Sequence, residues 1–62
     1  MKLKIKRIDR GMTLEKMADK LGVSLLTYRA WEIDPRKVTV ENAKKICVIL
    51  KCDLEDIDEW KR

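Results

Sequence analysis

Residues 12–24 read Met-Thr-Leu-Glu-Lys-Met-Ala-Asp-Lys-Leu-Gly-Val-Ser, and this stretch decides the fold. Thr13 and Ser24 are of the type that begins helices, because their hydroxyl oxygens accept hydrogen bonds from the first free backbone N–H groups. Gly22 ends the intervening helix at little conformational cost. Apolar side chains recur at helical spacing before it, at Leu14, Met17, Ala18 and Leu21. The pattern predicts an amphipathic helix, a tight turn and a second helix that starts at once.

The second helix of this pair is predicted over residues 25–32, the third in chain order. Tyr28 and Trp31 lie three residues apart, which places both on its core face. Pro35 cannot occupy a helix interior and disfavours helical geometry in the residue before it. We therefore expect residues 33–38 to be a loop.

The flanking segments carry the same kind of signals. Residues 2–10 are predicted as a short basic first helix, and Gly11 suits its C-terminal cap. Thr39 begins a fourth helix. The apolar stripe of that helix is Val40, Ala43, Ile46, Cys47 and Leu50. Asp53 and Asp56 resemble a capping pair for a last short helix. Its apolar residues are Leu54, Ile57 and, at its far end, Trp60.

Length and composition set limits on architecture and location. A chain of 62 residues allows one domain, residues 1–62, and with 45% apolar residues it can form one core without any Phe. The sequence predicts four or five helices and an all-α fold. No apolar run approaches the roughly 20 residues that span a bilayer, and no signal-peptide pattern follows the lysines near the start. We expect a cytoplasmic protein.

The chain offers little for catalysis or metal binding. It contains no His, no Gly-rich phosphate loop, and no Ser or Cys with a convincing base nearby, so we expect no enzyme and no cofactor. If Cys47 and Cys52 lie in one helix, their Cα atoms would be about 8 Å apart, too far for a disulfide bond. We expect reduced thiols, Cys47 in the core and Cys52 at a helix end. Two cysteines without histidine do not make a structural zinc site.

Positive charge is concentrated in one part of the chain. Residues 1–37 hold ten basic and five acidic side chains, whereas residues 38–62 hold five basic and six acidic ones. The basic part is a candidate surface for a polyanion, although lysine-rich surfaces also serve solubility alone.

Residues 12–24 closely resemble the phage Cro/repressor (XRE-like) helix-turn-helix family. Ala18 stands where the family has a small residue between the two helices, and Gly22 with Val23 occupies its turn. Trp31-Glu32 resembles the family's ending of the recognition helix, and residues 39–57 resemble its later helices. The resemblance implies a compact four- to five-helix, lambda-repressor-like bundle with a central helix-turn-helix.

The resemblance also implies a function and a set of site residues. The protein would bind double-stranded DNA as a small transcriptional regulator, with residues 25–32 in the major groove and no small-molecule ligand. The implied base-reading residues are Ser24, Leu25, Leu26, Arg29 and Ala30. The implied phosphate contacts are Thr13, Thr27, Arg36 and Lys37. Arg7 and Glu32 stand where family members form a buried ion pair. A homodimer bound to two DNA half-sites is the family's usual arrangement. The C-terminal residues Ile57 and Trp60 could form the dimer interface, or Trp60 could instead pack on the core of its own chain.

Two departures from the family pattern bear on specificity. Leu25 and Leu26 replace the usual polar readers, so direct readout would rest on contact with thymine methyl groups and on Arg29. Leu14 replaces a residue that is often Gln and contacts a phosphate, which leaves only backbone N–H groups there. Adjacent exposed leucines also suit an alternative, a protein-interaction module that uses the Leu25/Leu26 face.

Overall fold

The computed structural model describes residues 1–61, which form four α-helices joined by short connections and contain no β-strand. The helices are α1 (Leu3–Asp9), α2 (Leu14–Leu21), α3 (Leu25–Ile33) and α4 (Val40–Leu50). Two single 3₁₀ turns follow α3 and α4, at Pro35–Lys37 and Leu54–Asp56. The predicted all-α bundle with a central helix-turn-helix is therefore confirmed. None of the described helices is long and apolar enough to cross a membrane.

The core draws one or more side chains from every helix. Its largest fully buried members are Leu3, Met17, Tyr28, Ile46, Leu50 and Ile57. Ala18 is buried in α2, where a small side chain lets the neighbouring helix approach. Ile57 comes from the segment after α4, so this segment completes the core instead of extending into solvent.

Helix boundaries follow the predicted caps. The hydroxyl oxygens of Thr13, Ser24 and Thr39 each accept the backbone N–H three residues later, at 3.1, 3.1 and 3.2 Å. Gly11 and Gly22 each have φ of +70°, the left-handed backbone that costs glycine little. The cap predictions are thus confirmed at both ends of α2.

Several predictions about the segments after α3 are wrong in detail. Ile33 is the last residue of α3, and Pro35–Lys37 is a 3₁₀ turn where a loop was predicted, because proline suits the first position of a helical turn. Val40 was placed in the apolar stripe of the fourth helix but is 66% exposed, since the buried face of α4 begins one turn later at Ala43. The last short helix is only a 3₁₀ turn, but its predicted capping pair is confirmed, because the Asp53 N–H donates to Asp56 Oδ2 at 2.9 Å.

Arg10 stabilises the end of α4, a role that the sequence did not suggest. Its Nε donates to the Leu50 carbonyl at 2.8 Å, and Leu50 is among the last residues of α4, whose carbonyls lack helical partners. We expect Arg10→Ala to lower the free energy of unfolding by about 1 kcal/mol in urea denaturation followed by tryptophan fluorescence. Lys4→Ala, an exposed change in α1, the helix that Arg10 follows, serves as the control and should stay within about 0.5 kcal/mol of wild type. Equal losses in both variants would refute the capping role.

Candidate nucleic-acid interface

α2 and α3 form a tightly connected pair whose geometry is set by their caps. Gly22 turns the chain at the end of α2, and its N–H donates to Asp19 O at 3.1 Å while the Val23 N–H donates to Ala18 O at 3.0 Å. Ser24 then caps α3 at once. With so short a connection fixed by hydrogen bonds, the first turn of α3 has a defined direction relative to α2.

The outer face of α3 is open to solvent. Leu26 is 77% exposed and Leu25 is 43% exposed, while Arg29 and Ala30 are also exposed. Tyr28 is fully buried and Trp31 packs against the core, as their spacing predicted. The structure therefore brings four of the five predicted base-reading residues to one accessible helix face.

Ser24, the fifth of these residues, is occupied by contacts within the protein. Its Oγ accepts the Thr27 N–H at 3.1 Å and donates to Thr27 Oγ1 at 2.8 Å. Both polar contacts of the Ser24 hydroxyl are thus made to Thr27, within the first turn of α3. The geometry makes Ser24 a capping residue.

The predicted phosphate contacts lie in three separate parts of the chain. Thr13 caps α2, Thr27 lies in the first turn of α3, and Arg36 and Lys37 are exposed in the 3₁₀ turn after α3. A residue distant in the sequence stabilises that turn, because Trp60 Nε1 donates a hydrogen bond to the Pro35 carbonyl at 2.8 Å. The open question about Trp60 is thereby answered: it folds back onto its own chain.

Arg7 and Glu32 form a buried ion pair between α1 and the end of α3. Arg7 Nε donates to Glu32 Oε2 at 2.6 Å, and the two side chains are only 9% and 7% exposed. Arg7 Nη1 also donates to the Met12 carbonyl at 2.8 Å. One guanidinium thus joins α1, the connection before α2, and α3.

Tyr28 lies beside this pair. Its hydroxyl is buried without a partner in hydrogen-bonding geometry among the described residues, yet Glu32 is near enough to act on it electrostatically. Burial is the main cause that raises the pKa of Tyr28 far above its ordinary value, and the Glu32 carboxylate adds to it. The folded protein therefore keeps this phenol neutral.

We expect the stability of the protein to fall as the pH rises above about 10. The Tyr28 pKa is raised in the folded state, so above pH 10 the unfolded chain releases the phenol proton and the folded chain retains it. The loss contributed by Tyr28 should approach about 1.4 kcal/mol per pH unit. Urea denaturation between about pH 8 and 11 measures this loss. Tyr28 is the only tyrosine, so tyrosinate absorbance reports its ionisation directly.

The control is Tyr28→Phe, which should lose less stability than wild type over the same pH range. An equal decrease in the free energy of unfolding per pH unit in both proteins would contradict the role of Tyr28.

Lys4 lies beside the candidate interface, although it was not among the residues singled out from the sequence. Lys4 and Arg29 line one surface cavity of about 440 Å³ with Leu14, the first residue of α2. The Arg7–Glu32 pair forms another part of its wall. Lys4 precedes Arg7 by three residues and therefore shares its face of α1, a spacing from which its position was predictable. The cavity combines two exposed cations with the start of α2.

Comparison with known proteins identifies the family but no individual relative. Residues 3–57, nearly the whole chain, match the family described as Helix-turn-helix. No curated protein and no solved structure gives a significant match. The resemblance found in residues 12–24 is thus confirmed over the length of the fold. The chain belongs to the XRE-type (Cro/C1-like) helix-turn-helix family of DNA-binding transcriptional regulators.

Proposed function

We propose that the protein is a Cro- or repressor-like transcriptional regulator that binds specific double-stranded DNA sequences with α3 in the major groove. The observation that carries the proposal is the open first turn of α3, where Leu25 and Leu26 are 43% and 77% exposed. In this geometry Leu25 and Leu26 pack on thymine methyl groups, Arg29 hydrogen-bonds guanine, and Ala30 allows close approach. Ser24 serves the interface by holding α3 and Thr27.

Phosphate contacts position the protein on the duplex. Thr13 and Thr27 donate hydroxyl protons, and Arg36 and Lys37 supply positive charge from the turn after α3. Lys4 adds a cation beside the start of α2, where Leu14 offers no polar side chain. Since thymine methyl contacts carry modest discrimination, phosphate contacts and DNA shape account for a large share of the affinity.

Binding as a homodimer on two half-sites, about one helical turn apart, is part of the proposal. Ile57 is fully buried and Trp60 is bonded to Pro35, so both are used within one chain. The dimer contact must therefore come from other residues. A palindromic recognition sequence would support dimeric binding, and a single half-site would contradict it.

Selection of bound sequences from random duplex DNA tests the function. The wild-type protein should enrich a defined motif, and the Leu25→Ala/Leu26→Ala variant should lose thymine-containing positions of that motif. Val40→Ala removes an exposed apolar side chain on α4 and should leave the motif unchanged. If the wild-type protein enriches no sequence even at low salt, the proposed function is wrong.

A salt titration separates DNA binding from the alternative use of the Leu25/Leu26 face as a protein-binding surface. If six phosphates are neutralised, the logarithm of the DNA affinity should fall against the logarithm of salt concentration with a slope of about −5. Fluorescence anisotropy of a labelled duplex measures this slope. An apolar protein interface responds little to salt. Absence of salt-dependent DNA binding, together with a salt-insensitive protein partner, would favour the interaction module.

A further inference from the structure

The chain reverses direction where α4 ends, and this reversal brings the two cysteines together. Lys51 has φ of 54° and ψ of 51°, a left-handed conformation that non-glycine residues rarely adopt. The Cys52 N–H consequently donates to the Cys47 carbonyl at 3.0 Å. With standard bond lengths, this hydrogen bond limits the separation of the two Cα atoms to about 7 Å. The 8 Å spacing expected for a continuous helix is therefore wrong, because Cys52 lies beyond the end of α4.

The two thiols are also close to one another. Burial raises the pKa of the Cys47 thiol to about 12, and the neighbouring Cys52 thiol adds to the increase. Cys47 is 5% exposed, whereas Cys52 is half-buried. The pair thus has one sulfur in the core and one near the surface.

A surface cavity gives access to this pair. Its volume is about 590 Å³, and its lining includes both cysteines with Lys44 and Val48 of α4 and residues 53–55. None of these residues belongs to the proposed DNA-contacting set. Among residues 1–61, no group of three or more His, Cys, Asp and Glu side chains is arranged to hold a metal ion. Any ion taken up here would therefore be held by the two sulfurs alone.

We propose that Cys47 and Cys52 form a two-sulfur binding site for a soft monovalent metal ion of the Cu(I) and Ag(I) class. Thiolates select soft ions, and zinc sites in proteins require about four ligands, which this site does not offer. Uptake releases one proton from each thiol and forms two sulfur–metal bonds, with no change of oxidation state. The left-handed reversal at Lys51 keeps the backbones of Cys47 and Cys52 close before the ion arrives, which reduces the entropic cost of binding.

Native mass spectrometry of the reduced, full-length protein with Ag⁺ and an excess of a small monothiol tests the site. Chelation by two sulfurs should let the wild-type protein keep one Ag⁺ at monothiol concentrations about a hundredfold higher than those that strip Cys52→Ala or Cys47→Ala. Zn²⁺ offered under the same conditions should not be retained. Circular dichroism establishes that each variant is folded, and Cys52→Ala decides the question if Cys47→Ala is not.

Two results would overturn the proposal. One is loss of Ag⁺ from wild type at the same monothiol concentration as from Cys52→Ala, which would mean that each sulfur binds alone. The other is retention of Zn²⁺, which would mean that further ligands complete the site. Lys51→Gly provides a further control, because glycine adopts the left-handed conformation at little cost and preserves both the reversal and the two thiols. It should lose Ag⁺ at the same monothiol concentration as wild type.

Discussion

Arg7→Ala should destabilise the protein by about 3–5 kcal/mol, more than any other single change considered for this chain. The variant leaves the Glu32 carboxylate, only 7% exposed, without its partner, and it removes the donor to the Met12 carbonyl as well. A domain of this size has a total stability of about 3–9 kcal/mol, so much of the protein should be unfolded without denaturant. Urea denaturation at neutral pH, followed by tryptophan fluorescence, measures the loss.

A double-mutant cycle separates the cost of an unpaired buried charge from the net value of the pair. Arg7→Met/Glu32→Leu removes both charges and should recover a large part of the stability lost in Arg7→Ala, because apolar groups of similar size tolerate burial. The matched surface pair is Lys45 with Glu41, whose Nζ and Oε1 lie 3.6 Å apart at 58% and 82% exposure. Lys45→Ala should cost less than about 1 kcal/mol. If Arg7→Ala costs no more than Lys45→Ala, the buried pair has no structural importance.

The features that were predictable from the sequence are those set by neighbouring residues. Thr13, Ser24 and Thr39 cap helices because a hydroxyl oxygen can reach an N–H only three residues away, and such contacts need no other part of the fold. Gly22 turns the chain for an equally local reason. The exposed face of α3 follows from the helical period once Tyr28 is assigned to the core.

The features that escaped prediction depend on contacts between distant residues or on an unfavoured backbone. Arg10 caps a helix that ends 40 residues later, and Trp60 bonds to a carbonyl 25 residues earlier. Val40 is exposed because the neighbouring elements cover the apolar stripe of α4 only from Ala43 onward. Lys51 adopts a left-handed conformation that sequence rules assign first to glycine, so the approach of Cys52 to Cys47 was not foreseeable.

The family resemblance assigned roles that the hydrogen bonds refine. Ser24 was implied as a base reader, but its hydroxyl accepts one bond and donates another within the first turn of α3. Among the implied base-reading residues, direct readout by hydrogen bonds then depends on Arg29, since Leu25, Leu26 and Ala30 are apolar. The sequence specificity of the proposed regulator therefore depends on the Arg29 guanidinium to a greater extent than the resemblance alone implied.

Arg29→Ala should weaken binding to the selected DNA sequence about ten- to a hundredfold, while binding to a scrambled duplex changes much less. The reason is that a bidentate contact to guanine is worth about 1–3 kcal/mol of discrimination, and this contact exists only on the correct sequence. Fluorescence anisotropy with both duplexes at one salt concentration measures the ratio. Arg29→Lys should recover only part of the loss, because an ammonium lacks the planar fork that matches the guanine edge.

Arg36→Ala is the matched control, since it also removes an arginine side chain, in this case from the turn after α3. It should weaken binding to both duplexes by a similar factor and make the salt slope shallower by about 1, as expected for one phosphate contact. If Arg29→Ala behaves in the same way as Arg36→Ala, Arg29 contacts phosphate and does not read a base. Sequence discrimination would then depend on Leu25 and Leu26 and on the shape of the DNA.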